Sequence, residues 1–143
     1  MTARVNHVGI AVPDLKKATK FFADVFGVTT VEVESDQVKN LYLKFENFTI
    51  QIMEDPGRLS GAPFGRLDHI AIDVDDLDET VKRLEGHDVQ MAWDMPVRVE
   101  QYRSNFTTEN GGVGVVFQIS DEHGGDRPSQ VFSPEMMDAL ARK

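Results

Sequence analysis

Cysteine is absent from this 143-residue chain. That removes disulfides, thiolate metal sites and cysteine nucleophiles together, so any metal must be held by His, carboxylate or amide oxygen. Long apolar runs are missing too. No stretch approaches the roughly 18 residues a membrane-spanning helix needs, and Met1-Thr2-Ala3-Arg4 leads straight into an alternating run with no signal-peptide core. A cytoplasmic protein with no membrane partner is expected. Positive charge is scarce: 15 Lys and Arg stand against 24 Asp and Glu, a formal net charge of -9. Phosphate backbones are bound by clustered Lys and Arg, which this chain does not show, so nucleic acid is not an expected partner. Small molecules and other proteins remain. An apolar content of 41% is enough to bury a core, either for one compact domain or for two half-size modules sharing one.

What is present is a duplication. Val5-Asn6-His7-Val8-Gly9-Ile10-Ala11-Val12-Pro13-Asp14-Leu15 is written again as Leu67-Asp68-His69-Ile70-Ala71-Ile72-Asp73-Val74-Asp75-Asp76-Leu77. His, Ile, Val, Asp and Leu recur in the same places, and Val/Ile and Gly/Ala exchange at two more. Each copy alternates with the period of a half-buried strand and ends in an Asp that opens a helix.

In the first module, residues 1–54, Asp14 predicts an N-cap, with Leu15, Ala18, Phe22, Val25 and Phe26 at helical spacing and Gly27 as the stop. Strands are predicted over 29–34, 38–45 and 48–53, giving βαβββ. A Pro- and Gly-rich linker fills 55–66. The second module, 67–122, repeats the plan. Asp76 and Glu79 form a capping box, Gly86 ends the helix, and strands are expected over 89–93, 102–108 and 113–119 with a hairpin at Glu109-Asn110-Gly111-Gly112. The tail, 123–143, is expected to close in a helix opened by Ser133-Pro134-Glu135. The fold class expected is α+β, two βαβββ modules forming an eight-stranded open barrel.

Alternation also assigns faces. If the apolar side of each strand meets the helix, the opposite side carries His7, Gln51, His69 and Gln118, one His from the first strand and one Gln from the last strand of each module. Gly9, Ala11, Ala71 and Gly114 beside them are small enough to leave room. A lone His on a strand is more often structural than a ligand, but the repetition argues for a metal pocket.

The order His7, Gln51, His69, residue 118 within paired βαβββ modules resembles the vicinal-oxygen-chelate superfamily, which includes glyoxalase I, extradiol dioxygenases, methylmalonyl-CoA epimerase and bleomycin-resistance proteins. The pattern is most similar to the epimerases over His7–Asp14, Gln51 and His69, with Asn105-Phe106 and Gly111–Gln118 matching a further family segment. The resemblance implies that His7, Gln51, His69 and Gln118 hold a divalent metal (Zn, Ni, Co, Fe or Mn) that polarises two neighbouring substrate oxygens. It also implies two departures. Gln118 stands where the epimerases place a glutamate ligand, and Asn40 where they place a glutamate base; an amide cannot take up that proton. Asn40 and Tyr42 are the candidate catalytic residues, and Asn40, Tyr42, Arg103 and Asn105 the candidate substrate contacts, Arg103 for an anionic group. Glu54, Asp121 and Glu100 could reach the site only through a bulge or an inward loop. The expected function is a divergent metal-dependent epimerase, isomerase or lyase acting on a small carbonyl- or hydroxyl-bearing molecule, and the expected assembly is a homodimer. The alternative is a metal-free small-molecule binding protein of the antibiotic-resistance kind. A dioxygenase is disfavoured because no carboxylate completes a two-His, one-carboxylate iron site.

Overall fold

The structure, a computed structural model, describes residues 2–34, 39–54, 59, 60, 62, 65–109, 114–133 and 136. Among them are two helices and nine strands, an α+β architecture. The chain divides into two compact units, His7–Asp68 and Met1–Asn6 with His69–Lys143.

The His7–Asp68 unit contains most of β1 (Ala3–Val12), then α1 (Leu15–Phe26), β2 (Thr30–Glu34), β3 (Lys39–Lys44) and β4 (Thr49–Glu54). Its strands lie in the order β2-β3-β4-β1, with β1 parallel to β4 and β3 antiparallel to β2 and β4. α1 starts where the sequence asks it to, the Asp14 carboxylate accepting from the Lys17 N–H at 3.1 Å. It stops at Gly27, whose φ of 68° is the left-handed conformation that a residue without Cβ adopts freely. The apolar alternation is used as expected: Val12, Leu43 and Ile52 are buried together, with Ile10, Leu41 and Ile50 from the sheet, Phe45 just past β3, and Leu15, Ala18 and Phe22 from α1 packed around them.

The other unit adds most of β5 (Arg66–Val74), then α2 (Leu77–Gly86), β6 (Val97–Val99), β7 (Tyr102–Phe106), β8 (Phe117–Asp121) and β9 (Gln130–Val131). Its strand order is β5-β8-β7-β6-β9. β5 is parallel to β8, and β7 is antiparallel to β8 and β6. Asp76 caps α2 through the Glu79 N–H at 3.2 Å. The helix ends at Gly86, as expected, and Asp88, at φ 61°, takes a left-handed conformation beyond it.

Two expected strands are displaced. Residues 89–93 form no strand, only an isolated bridge from Met91 to Thr107, because Asn105 intervenes. Its side-chain oxygen accepts the Trp93 N–H at 3.3 Å and its amide donates to the Trp93 carbonyl at 3.0 Å, replacing the ladder with a side chain. The sixth strand forms instead at Val97–Val99, after Pro96. β8 starts at Phe117, after the described residues 114–116 of the expected strand, and its first N–H is taken by the Thr107 hydroxyl at 2.9 Å. β9 was not anticipated. Most of the expected 109–112 hairpin and of the C-terminal helix lies outside the described residues.

Candidate functional site

In the His7–Asp68 unit, register decides what shares the face turned away from α1. Gly9 pairs with Gln51 on one side and Tyr42 pairs with Gln51 on the other. His7, two residues before Gly9, therefore shares that face with Gln51, Tyr42 and Asn40. His7 is buried, and its ring meets the Tyr42 ring edge-on at 5.6 Å. The Gln51 Nε2 donates to Asn40 Oδ1 at 2.8 Å, which leaves Oε1 as the end that can face a cation. Burial pushes the Tyr42 phenol above its ordinary value, so Tyr42 is protonated at neutral pH and can offer a hydrogen bond but cannot act as a resting base.

The second unit repeats this arrangement with different residues. Ala71 and Phe106 flank Gln118 in register, so His69, Phe106, Ser104 and Gln118 share the face away from α2. His69 is buried with its ring edge-on to Phe106 at 5.7 Å. The Gln118 Nε2 donates to Ser104 Oγ at 3.0 Å, and the Ser104 and Ser120 hydroxyls are hydrogen-bonded at 2.9 Å. Farther along the same face, Asp73, Tyr102 and Ser120 join Thr2, Arg4 and His123 in lining a cavity of about 500 Å³.

Arg103 and Asn105 lie elsewhere. Arg103 and Asn105 were expected as substrate contacts, yet Arg103 pairs with Asp121 and Asn105 with Ile119, on the side of the sheet that meets α2. Arg103 is wholly buried. Its Nε and one terminal nitrogen reach the two Asp121 oxygens at 3.1 and 2.7 Å, and its other terminal nitrogen reaches Asp78 on α2 at 3.2 Å. Asn105, 2% exposed, is committed to Trp93. Asp121 likewise turns toward the helix, its carboxylate accepting the Leu77 N–H at 2.7 Å. Burial alone would raise this carboxyl, but the Arg103 and Leu77 hydrogen bonds and the guanidinium charge outweigh it and hold the group below the usual carboxylate range. Sequence reasoning missed this ion pair, as it missed Ser104 and Ser120.

Could these residues hold a divalent cation? Among the described residues no group of three or more His, Asp or Glu side chains is placed to do so. The candidate set brings two histidines and two amides. Both amides have their nitrogen engaged and their oxygen available, which is the donor a borderline divalent metal takes from glutamine, and a buried neutral imidazole is its commonest protein ligand. The donor set fits.

The profile described as the Glyoxalase/Bleomycin resistance protein/Dioxygenase superfamily matches residues 4–117. The mitochondrial methylmalonyl-CoA epimerase of Mus musculus is 31% identical over 93 residues, 57% of this chain and 51% of that protein. A Bacillus subtilis protein named "Probable trivalent organoarsenical cleaving enzyme" is 34% identical over 77 residues, 53% of this chain and 49% of that one. The chain thus spans about half the length of these curated relatives. Among solved structures, methylmalonyl-CoA epimerase from Mycobacterium tuberculosis matches with a TM-score of 0.65 and 23% identity over 94% of this chain and 91% of that one, a likeness of fold.

Proposed function

Because the chain belongs to the glyoxalase/bleomycin resistance protein/dioxygenase superfamily, we propose that it is a divergent metal-dependent epimerase or isomerase acting on a small carbonyl- or hydroxyl-bearing molecule. The observation that carries this reading is the repeated half-set: in each unit a buried histidine lies against an aromatic edge, and a glutamine on the same face has its amide nitrogen anchored to a neighbour. His7, Gln51, His69 and Gln118 are the proposed ligands. A divalent cation there would act as a Lewis acid toward substrate oxygens. The protein's own contribution is to supply neutral donors, so the cation keeps its full charge and draws anionic oxygen strongly. Tyr42 offers a hydrogen bond from a phenol that stays protonated. The epimerase relatives support isomerisation, while the organoarsenical relative's name supports bond cleavage, the lyase alternative.

Two substitutions test the ligand set. Gln118→Glu supplies a negative donor and should tighten binding of Ni²⁺ or Zn²⁺ in calorimetry, whereas His69→Ala should abolish it. Unchanged affinity in both would remove the metal reading. A second reading, a binding protein without catalysis, is favoured by Asn40, an amide where the resemblance implies a base. Methylmalonyl-CoA should then show no α-hydrogen exchange with deuterated solvent, or exchange about 10²–10⁴-fold below that of a true epimerase, the usual contribution of a general base. Rapid exchange would show that another group serves as base. The exposed Phe21, Val25 and Phe26 on α1 support a homodimer, and a monomer by light scattering at micromolar concentration would overturn it.

A further inference from the structure

A glutamine side chain ends in two groups of similar size and opposite chemistry, and only its oxygen can bind a cation. An amide free to rotate loses entropy when a cation fixes it, and presents the NH₂ end part of the time. In both units that end is already held: Gln51 donates to Asn40 Oδ1 at 2.8 Å and Gln118 to Ser104 Oγ at 3.0 Å. The two acceptors occupy matched places. Asn40 precedes by two residues Tyr42, the register partner of Gln51, and Ser104 precedes by two residues Phe106, the register partner of Gln118. The same geometry therefore arises twice from unlike side chains, one amide and one hydroxyl, that share only an acceptor oxygen.

We infer that Asn40 and Ser104 are positioning residues, each orienting a glutamine so that Oε1 faces a bound cation. This rests on the ligand set proposed above. Ser104 does so as part of a longer chain: while its oxygen accepts from Gln118, its own hydrogen is available to the Ser120 oxygen 2.9 Å away. Ser120 in turn lines the cavity shared with Asp73 and Tyr102, so the Gln118 anchor ends at a wall that a ligand would touch. On β3, the carbonyl of Asn40 is occupied by an ordering task that a carboxylate oxygen could also perform.

Nuclear magnetic resonance of the side-chain amides in the metal-free protein reads the anchors directly. Slow NH₂ exchange is expected for Gln51 and Gln118 in the native chain. Asn40→Leu should release Gln51 alone and Ser104→Ala should release Gln118 alone, while Asn40→Asp and Ser104→Thr, which keep an acceptor, should hold both. Calorimetric titration with Ni²⁺ should then show affinity about 10–100-fold weaker in the first two variants, as expected when a ligand's outer partner is lost. It should be restored in the conservative pair, with every variant still melting in one cooperative transition. His69→Ala separates the two layers of the argument. If it binds Ni²⁺ like the native protein, or the native protein binds none, the ligand set itself fails and the inference with it. If His69→Ala abolishes binding while Asn40→Leu and Ser104→Ala retain native affinity, the ligand set stands and the positioning role is overturned.

Discussion

Asn105 shows what one polar side chain can do once it is buried. It accepts from the Trp93 N–H, donates to the Trp93 carbonyl, and its oxygen also receives the Phe106 N–H at 2.8 Å. Both acceptor sites of its oxygen and one amide hydrogen are engaged, and the side chain is buried, so it is not placed to contact a substrate. Asn105→Ala should strand two buried backbone groups of Trp93 at a cost of about 1–3 kcal/mol, measured as a lower urea midpoint. Asn105→Asp, which keeps the acceptor and loses the donor, should fall between. Trp93 is the chain's single tryptophan, so its emission reports on this position directly. A red shift in Asn105→Ala that exceeds any shift in Asn105→Asp is expected, and identical native-state spectra in the two variants would count against the account.

At the scale of elements, Arg103 and Asp121 bind β7 and β8 to α2. The guanidinium spans both Asp121 oxygens and Asp78, and Asp121 also accepts from the first turn of the helix. Arg103→Ala leaves a buried carboxylate without its counter-charge and should cost about 3–5 kcal/mol in chemical denaturation. Replacing both partners, Arg103→Met with Asp121→Leu, should recover most of that loss. A double variant no more stable than Arg103→Ala would mean the pair is more than a mutual neutralisation. The same elements show where the sequence was legible. β3 could be read because Leu41 and Leu43 alternate with Asn40 and Tyr42, and an apolar row on one side leaves the other side unambiguous. β7 could be read as a strand but its faces could not: Tyr102, Arg103, Ser104, Asn105 and Phe106 place no continuous apolar row on either side. Arg103 was expected to meet an anionic substrate group, and the distant Asp78 and Asp121 take that place instead. That each histidine shares a face with a glutamine of its own unit was legible through alternation. Their anchors were not, since Ser104 and Asn40 acquire meaning only when register places them beside Gln118 and Gln51.

Over the whole molecule, the acidic excess and the buried ion pair act in opposite directions as pH falls. At neutral pH the formal charge of -9 opposes compactness through self-repulsion, so mild acidification toward the isoelectric point near 4.8 should raise stability slightly. Below that the paired carboxylates decide. Asp121 is held below its ordinary range in the folded chain, as are Asp75, through hydrogen bonds from Thr2, and Asp76, through Arg127. A depressed carboxyl binds fewer protons folded than unfolded. Its contribution is therefore complete above the unfolded value of about 3.9 and drains away as pH drops through the lower folded value. Thermal melts from pH 8 to pH 2 should trace a dome with its maximum near pH 5–6, within the range common to proteins that lose paired carboxylates in acid. At neutral pH, about 0.5 M NaCl should raise the melting temperature by screening the repulsion. Asp121→Asn should lower the plateau and flatten the acid limb, because the group whose protonation drives that limb is gone. If native protein and Asp121→Asn lose stability in parallel below pH 4, acid sensitivity belongs to the general charge and not to the pair beneath α2.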